Sequence, residues 1–366
     1  MAPSANHPEP EPEYVVVFAG KGTIKREILT GSRAKPTFST IPQVDFSKID
    51  SPSLSDRQAI AKEVGAAFRD SGFLYAANHG ISQSLQDGLY RVIKEFFAMP
   101  LEEKMKVHIN KSASIKGYEA LLETKLDATT RGDLKEAFNI GDDPYDPEQN
   151  VPSNFDISSY PKNGNQWPTA LPEFRTLMYK YNTAVLSFSK KLMRIIALAL
   201  DLPETYFDHM AAFPMSGLRA LHYPSQEIAN DIGIGAHADY SWFTLVNQLS
   251  PTPALEVLNH NGQWISAPPI PGTLVVNVGD FLEMATNNEF VSTVHRVVNK
   301  TGEERYSIPY FFSPSKDVMI ETVPTCVKED GVKMKPILAG DWQQERLLRA
   351  RYKHPSSIAA RAKGEI

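Results

Sequence analysis

Two histidines and one aspartate in the second half of the chain have the residue types and the spacing of a metal site. His237 and Asp239 lie two residues apart in GAHADYSWFTL, and His295 lies in STVHRVVN. Residues two apart on a β-strand point to the same face, so His237 and Asp239 could bind one ion together. Two imidazoles and one carboxylate on one side of a metal suit Fe(II) that must also bind O₂ and a co-substrate. The triplet alone is weak, because each histidine taken singly could equally be an ordinary core or surface residue.

An arginine and a serine, Arg305 and Ser307, follow ten residues after His295 and are again two positions apart. On one face of a strand they would form a carboxylate receptor, since the guanidinium offers two parallel N–H donors and the serine offers a third. A surface ion pair is the alternative for Arg305, and such a pair would contribute little. The apolar stretch SIPYFF predicts burial instead, and a buried guanidinium needs an anion.

Short β-rich segments in the second half of the chain must position these residues. They are bounded by Gly, Pro and Asn, and they cover residues 218–223, 242–248, 255–258, 273–278, 294–298 and 306–312. Many short strands separated by turn residues predict an antiparallel sandwich or barrel.

Helical periodicity predicts the elements around this barrel. The clearest helix runs from about residue 172 to 200 and carries an apolar stripe typical of a core scaffold. Another helix opens at Ser55, where Gln58 completes a capping box, and a further helix covers residues 85–96. A last helical segment is predicted at residues 341–352.

Length and composition exclude several classes of protein. The 366 residues, 42% hydrophobic and 22% charged, are ordinary for a globular protein, and the net charge of −5 predicts no nucleic-acid partner. The single cysteine, Cys326, fits a reducing compartment, so we expect a cytoplasmic protein. No apolar stretch is long enough to span a bilayer, so no membrane association is expected. Residues 1–12 are rich in Pro and Glu and are predicted to be a solvated tail.

The order of several motifs resembles a known family. Over about residues 41–353 the chain resembles the isopenicillin N synthase-like branch of the 2-oxoglutarate/Fe(II)-dependent dioxygenase superfamily. The motifs are IPQVDF, FRDSGFLYAANHGIS, EFFAMPLEEKMKV, GYEAL, DLKEAFNIG, RALHYP, GAHADYSWFTLVNQ, NVGDFLEMATNN, STVHRVVN and ERYSIPYFFSP. Each fragment alone is modest, but their number and order make the match specific.

The resemblance implies the fold and its divisions. It implies an α+β protein with a double-stranded β-helix (jelly-roll) core flanked by helices, including one long backbone helix. We predict a tail and leader at 1–40, an N-terminal α/β region at 41–170, the long helix and jelly-roll catalytic core at 171–313, and a C-terminal helical segment at 314–366.

The resemblance also implies six site residues, three for Fe(II) and three for the distal carboxylate of 2-oxoglutarate. They are His237, Asp239 and His295 for the metal, and Arg305, Ser307 and Tyr223 for the co-substrate. One position departs from the pattern of some plant relatives, which have an asparagine near the other end of the co-substrate where this chain has Leu221. That contact is therefore not expected here.

The implied activity is oxidation of a small organic metabolite with O₂ and 2-oxoglutarate, releasing succinate and CO₂. Hydroxylation is the default outcome, and desaturation, ring closure and ring expansion stay open. One alternative is an Fe(II) oxidase of the same fold in which Arg305 and Ser307 bind the substrate's own carboxylate. Another is a non-catalytic metal- or ligand-binding jelly roll. We expect an apolar or aromatic natural-product intermediate as substrate, with a pyrimidine base still open, and a monomer or a weak homo-oligomer.

Other candidate residues receive structural interpretations. His79 is predicted to serve packing, and His222 to face away from Tyr223 by strand alternation. Lys135 and Glu136 are predicted to form a structural ion pair, and Asp280 to end a strand and fix the turn into a helix. Four aromatic residues could line a substrate pocket, although core packing is expected for most of them: Phe213, Trp242, Phe243 and Phe311.

Overall fold

The computed structural model describes residues 13–19, 22–123, 132–149, 151–158, 160–162, 164–225, 232–329, 331–351 and 353–366. The predicted tail at residues 1–12 lies outside the described residues. Within the described part of the chain, no helix is both long and apolar enough to cross a membrane.

Sixteen strands and seven helices make up the described structure. The strands are β1 (Tyr14–Ala19), β2 (Gly22–Glu27), β3 (Gln43–Asp45), β4 (Phe73–Ala77), β5 (Gly117–Glu119), β6 (Glu136–Gly141), β7 (Pro214–Tyr223), β8 (Ile232–His237), β9 (Phe243–Asn247), β10 (Leu255–Leu258), β11 (Trp264–Ser266), β12 (Thr273–Val278), β13 (His295–Val298), β14 (Arg305–Ser315), β15 (Met319–Ile320) and β16 (Ile337–Leu338). The helices are α1 (Leu54–Asp70), α2 (Gln83–Phe97), α3 (Leu101–Met105), α4 (Pro172–Ala199), α5 (Asp280–Ala285), α6 (Ala339–Ala350) and α7 (Pro355–Ala362).

Two sheets form the jelly-roll core. The larger sheet has eight strands in the order β3-β4-β12-β9-β14-β7-β6-β5, and the smaller has six in the order β11-β10-β13-β8-β1-β2. Pairing is antiparallel except for β3 with β4 and β1 with β8. Strands β15 and β16 form a separate ribbon.

Alternation along the strands divides the larger sheet into two faces. One face packs on helices α1, α2 and α4 and contributes Leu74, Phe138, Leu218, Leu245, Val276, Ile308, Tyr310 and Phe312. The other face meets the smaller sheet and contributes Phe73, Tyr75, Ala137, Leu221, Tyr223 and Val275. Successive side chains point to opposite faces of a strand, so one strand serves both layers. The space between the sheets is therefore a separate, smaller core.

The predicted jelly-roll fold with its long helix is confirmed. Helix α4 begins at Pro172, whose fixed φ suits the first helical turn, and its apolar face lies in the larger core. The predicted capping box was wrong, because α1 begins at Leu54 with Ser53 at the N-cap and no side-chain cap. The elements that were not predicted include the hairpin of β1 and β2, which extends the smaller sheet, and helix α7.

The helix-side core depends on an aromatic cluster around Phe96. This ring is fully buried, lies 4.9 Å from the rings of both Phe138 and Phe174, and so joins α2, β6 and α4. We expect Phe96→Ala to lower the free energy of unfolding by about 3–5 kcal/mol, because it removes apolar contact and leaves a cavity. Urea denaturation measures the loss. Leu101→Ala, at a side chain that is 58% exposed, is the control and should change stability by less than about 0.5 kcal/mol.

Candidate metal and co-substrate site

His237, Asp239 and His295 converge between the sheets. His237 ends β8 and pairs across the antiparallel ladder with His295, the first residue of β13, so their ring centroids are 4.4 Å apart. Asp239 Oδ1 lies 3.7 Å from His237 Nε2 and 3.8 Å from His295 Nε2. The strand prediction for Asp239 was wrong, because β8 stops at His237 and the carboxylate reaches the site from the following loop. The three candidate ligand atoms still lie within 4.8 Å of one another.

Backbone carbonyls orient both imidazoles. His237 Nδ1 donates to the Gly235 carbonyl at 2.8 Å, and His295 Nδ1 donates to the Thr293 carbonyl at 3.2 Å. Because the Nδ1 atoms carry the protons, the Nε2 lone pairs face the shared space. Such a bond on the far ring nitrogen is the usual support of a metal-binding histidine.

Two side chains hold the aspartate. Thr244 Oγ1 donates to Asp239 Oδ2 at 2.6 Å, and Asn277 Nδ2 donates to the same oxygen at 2.9 Å. Both contacts engage Oδ2, so the carboxylate is fixed with Oδ1 toward the imidazoles. The aspartate is 6% exposed, and its orientation therefore comes from protein contacts rather than from water.

The protonation states suit a divalent cation. Burial and the neighbouring His295 lower the pKa of His237 to about 4, so its imidazole is neutral near pH 7. Burial alone would raise the pKa of Asp239, but His295 and His237 outweigh it and lower that pKa, so the carboxylate is ionised. Neutral imidazole and ionised carboxylate are the forms that bind metals. Two such nitrogens and one oxygen on one side match the donor set of non-haem Fe(II) sites.

Arg305 is a buried cation on the inner face of the larger sheet. It is 1% exposed, and it forms no ion pair with a carboxylate of the described residues. Its Nη1 donates to Ser307 Oγ at 3.1 Å and its Nη2 donates to Gln248 Oε1 at 3.2 Å. A buried guanidinium without a counterion is costly, so this site fits an anionic ligand.

Tyr223 completes the surroundings of Arg305. The two residues are partners in the ladder of β7 with β14, and the guanidinium lies 4.9 Å from the centroid of the tyrosine ring. The Tyr223 hydroxyl and Arg305 Nε are both buried without a hydrogen-bond partner among the described residues. Gly233 gives the ring its space, because a Cβ there would lie 2.8 Å from Tyr223 Cδ1. Unpartnered donors beside a buried cation are what a carboxylate would satisfy.

Leu221 lies on the same inner face, opposite Ser307 in the ladder, and is buried. Its side chain can neither donate nor accept a hydrogen bond, which agrees with the expectation that the polar contact of some relatives is absent at this position.

Two further predictions concern His222 and the pair of Lys135 and Glu136. His222 does face away from Tyr223: its ring stacks on Tyr306 at 4.7 Å, and its Nδ1 lies 2.7 Å from Glu136 Oε1. The predicted ion pair between Lys135 and Glu136 was wrong. Adjacent residues of an extended chain point in opposite directions, so Lys135 pairs with Asp133 at 3.0 Å and Glu136 pairs with Lys104 at 2.7 Å.

The remaining candidates have mainly packing roles. His79 is buried, with its ring 6.1 Å from that of Phe188. Trp242 and Phe243 lie in the helix-side core, and Phe213 packs on other aromatic rings at 5.0 Å or more. Phe311 alone of the four aromatic candidates lines the cavity described next.

A cavity of about 990 Å³ opens beside the candidate metal ligands His237 and Asp239. Strands β6 and β7 contribute to one wall, and helices α6 and α7 contribute to another. Two contacts hold helix α6 on the barrel. Trp342 Nε1 donates to the Tyr240 carbonyl at 2.9 Å, and Arg346 forms an ion pair with Asp280 at 3.0 Å. Asp280 begins α5, as predicted, and also serves this contact.

Sequence reasoning missed the residues that support the site. Asn277 and Thr244 hold Asp239, and Gln248 contacts Arg305. Asn277 could have been found, because it is the one amide in the otherwise apolar strand TLVVNV. Thr244 and Gln248 have no comparable signal, since threonine and glutamine are common at the ends of strands.

Two family models match the chain. A model described as the 2OG-Fe(II) oxygenase superfamily matches residues 214–314, and one described as "non-haem dioxygenase in morphine synthesis N-terminal" matches residues 41–170. The 2-oxoglutarate-Fe(II) type oxidoreductase hxnY of Emericella nidulans is 35% identical over 334 residues, which covers 89% of this chain and 93% of that protein. A homoarginine-6-hydroxylase of Arabidopsis thaliana is 35% identical over 304 residues, which covers 79% of this chain and 89% of that protein.

Solved structures agree with these relatives. Full-length T7H of Neurospora crassa, in complex with alpha-KG and thymine, superposes with a TM-score of 0.72 at 29% identity, covering 84% of this chain and 96% of that one. A 2OG-Fe(II) oxygenase family protein of Caulobacter crescentus superposes with a TM-score of 0.74 at 31% identity, covering 85% of this chain and 99% of that one. The chain therefore belongs to the 2OG-Fe(II) oxygenase superfamily and is an Fe(II)- and 2-oxoglutarate-dependent dioxygenase.

Proposed function

We propose that His237, Asp239 and His295 are the protein ligands of the iron. The observation that carries the proposal is the convergence of two Nε2 lone pairs and one carboxylate oxygen, each fixed by a hydrogen bond on its far side. A structural cation would need a closed set of ligands, whereas three ligands on one side leave room for a co-substrate.

Arg305, Ser307 and Tyr223 bind the distal carboxylate of 2-oxoglutarate in this proposal. The guanidinium provides charge and parallel N–H donors, and the two hydroxyls provide further donors around the same space. Burial supports this role, because desolvated charge-assisted hydrogen bonds are strong and an anion would neutralise the otherwise unpaired cation.

The cavity beside the metal ligands receives the substrate, a small organic molecule that is hydroxylated. Iron with O₂ supplies the oxidising chemistry, which this superfamily couples to the conversion of 2-oxoglutarate into succinate and CO₂. The protein selects the C–H bond by placing it. Phe311, Met215 and Leu347 give the cavity an apolar part, which supports a substrate with an apolar or aromatic portion. The hydroxylase name of one set of relatives supports hydroxylation over the other outcomes.

Substrate-dependent turnover tests the proposed function. Pools of metabolites are incubated with the Fe(II)-loaded protein, 2-oxoglutarate and O₂, and we expect one pool to yield one succinate for each oxidised substrate molecule. His237→Ala should abolish turnover, because it removes one of three protein ligands. Substrate oxidation without succinate would instead favour the oxidase in which Arg305 binds the substrate's carboxylate.

Asn277 is expected to position the metal-binding carboxylate. Asn277→Ala frees Asp239 Oδ2 from one of its two donors, so the affinity for Fe(II) should fall about 10–100-fold. Anaerobic Fe(II) titration in the presence of 2-oxoglutarate measures this affinity. Asn247→Ala is the matched control, because Asn247 is a buried asparagine of the same sheet whose amide donates to Gln86, on the helix side. Equal losses in both variants would contradict the positioning role.

Arg305 is expected to govern co-substrate affinity. Arg305→Ala should raise the KM for 2-oxoglutarate at least about tenfold, since it removes charge-assisted hydrogen bonds, while the affinity for Fe(II) changes little. Arg305→Lys should recover only part of the affinity, because lysine lacks the planar fork. Steady-state kinetics over a range of 2-oxoglutarate concentrations measures the KM of both variants. Arg91→Ala, at an exposed arginine, is the control. An unaltered KM in Arg305→Ala would refute the assignment.

A further inference from the structure

Two arginines in the substrate cavity share a single carboxylate. Arg219, on the inner face of β7, donates through Nη2 to Glu119 Oε2, and Arg351, which follows helix α6, donates through Nε to Glu119 Oε1 at 2.6 Å. Both arginines line the cavity together with His237 and Asp239. The barrel and the C-terminal segment therefore each bring one guanidinium to the same place.

The carboxylate of Glu119 is ionised but can neutralise only one of these cations. Its burial would raise its pKa, yet Arg219 and Arg351 outweigh that effect and lower the pKa to about 2. Two neighbouring cations have their own carboxylate partners, Lys135 in Asp133 and Arg346 in Asp280. The neighbouring carboxylate of Glu123 contacts His108 and the Ala120 amide instead of the two arginines. Glu119 and its two arginines therefore carry one more positive than negative charge.

The donors of the two arginines are also incompletely used. Arg219 Nε is buried without a hydrogen-bond partner among the described residues. Arg351 Nη1 reaches only its neighbour's carbonyl, Ala350 O, at the long distance of 3.5 Å. The side chains are 14% and 12% exposed, so bulk water does little to screen them. An excess buried cation with unused N–H donors is the signature of an anion subsite.

We propose that Arg219 and Arg351 bind a carboxylate group of the substrate, so that this enzyme oxidises a small organic acid. The inference rests on the proposed function, because it takes the cavity beside the metal ligands as the substrate site. Glu119 positions the two guanidiniums through one carboxylate oxygen each. A planar carboxylate then completes the hydrogen bonding that Glu119 leaves open, and the apolar wall around Phe311 and Leu347 holds the rest of the molecule.

The geometry also explains why the C-terminal segment belongs to the site. Arg351 follows the last turn of α6, and the helix is held on the barrel by Trp342 and Arg346. A carboxylate bound between Arg219 and Arg351 would bridge the barrel and this segment. Arg351 thereby brings the C-terminal segment into substrate recognition, whereas Arg219 lies on the same strand as Tyr223.

A comparison of acids with their uncharged amides tests the proposal. The probes are benzoate, phenylacetate and hexanoate, each paired with its primary amide, and binding is measured by saturation-transfer NMR on the protein loaded with Fe(II) and 2-oxoglutarate under argon. We expect at least one acid to bind at least about tenfold more tightly than its amide, since the acid alone makes charge-assisted bonds. Amides that bind as well as their acids, or a panel in which no acid binds, would overturn the proposal.

Variants test whether Arg219 and Arg351 cause the preference for the acid over its amide. Arg219→Gln and Arg351→Gln should each weaken binding of the acid about tenfold or more and leave binding of the amide unchanged. The control is Lys363→Gln, which removes an exposed cation of the same cavity and should keep the preference for the acid. A preference that persists in both arginine variants would overturn the assignment. If Arg219→Gln does not fold, the result for Arg351→Gln and the wild-type comparison still decide the matter.

The experiment separates this inference from the function on which it rests. Chelation of Fe(II) by 2-oxoglutarate gives a visible absorption band in the wild-type protein before any probe is added. A protein that shows no band contradicts the proposed iron and co-substrate site. A protein that shows the band but binds acids and amides equally contradicts only the carboxylate subsite.

Discussion

Alternation of side chains along the larger sheet is the constraint on which the remaining architecture depends. On β14 the residues Ile308, Tyr310 and Phe312 pack against the helices, while Arg305 and Ser307 face the smaller sheet. A shift of one residue in register would exchange these two sets and bury the guanidinium among aromatic rings. The large helix-side core therefore does more than stabilise the fold, because its apolar residues fix which side chains reach the interior.

The interior can hold polar groups because the surrounding backbone and side chains satisfy them. Each histidine at the proposed metal site is fixed by a carbonyl two residues before it, so the local chain sets the tautomer without a separate partner. Asp239 lies in a loop and depends on two side chains from neighbouring strands instead. Arg305 differs from both, since nothing in the described protein balances its charge. The site is thus held by protein hydrogen bonds at the proposed metal end and is electrostatically incomplete at the Arg305 end.

Sequence patterns could predict the fold and the long helix, because each leaves a local signal. The six candidate site residues came from residue spacing and from the family resemblance, and their roles stay predictions. Period-two alternation marks β14, and a 3.6-residue apolar period marks α4. The residues of the proposed carboxylate subsite could not be predicted in this way: Glu119, Arg219 and Arg351 lie far apart in the chain and meet only through sheet pairing and the return of the C-terminal segment. Asp239 shows a related limit, because its spacing suggested a strand although the strand ends two residues earlier. Local patterns identify elements, whereas contacts between distant elements need the folded chain.

The hairpin of β1 and β2 has a consequence for association between molecules. Without it, β8 would be an edge strand, and its free N–H and C=O groups could pair with a strand of another molecule, next to His237. The hairpin moves the edge of the smaller sheet to β2, where Lys25 and Arg26 are exposed. Charged residues on an edge discourage such pairing. The smaller sheet carries two of the proposed iron ligands. These N-terminal strands therefore protect it from intermolecular β-pairing and aggregation.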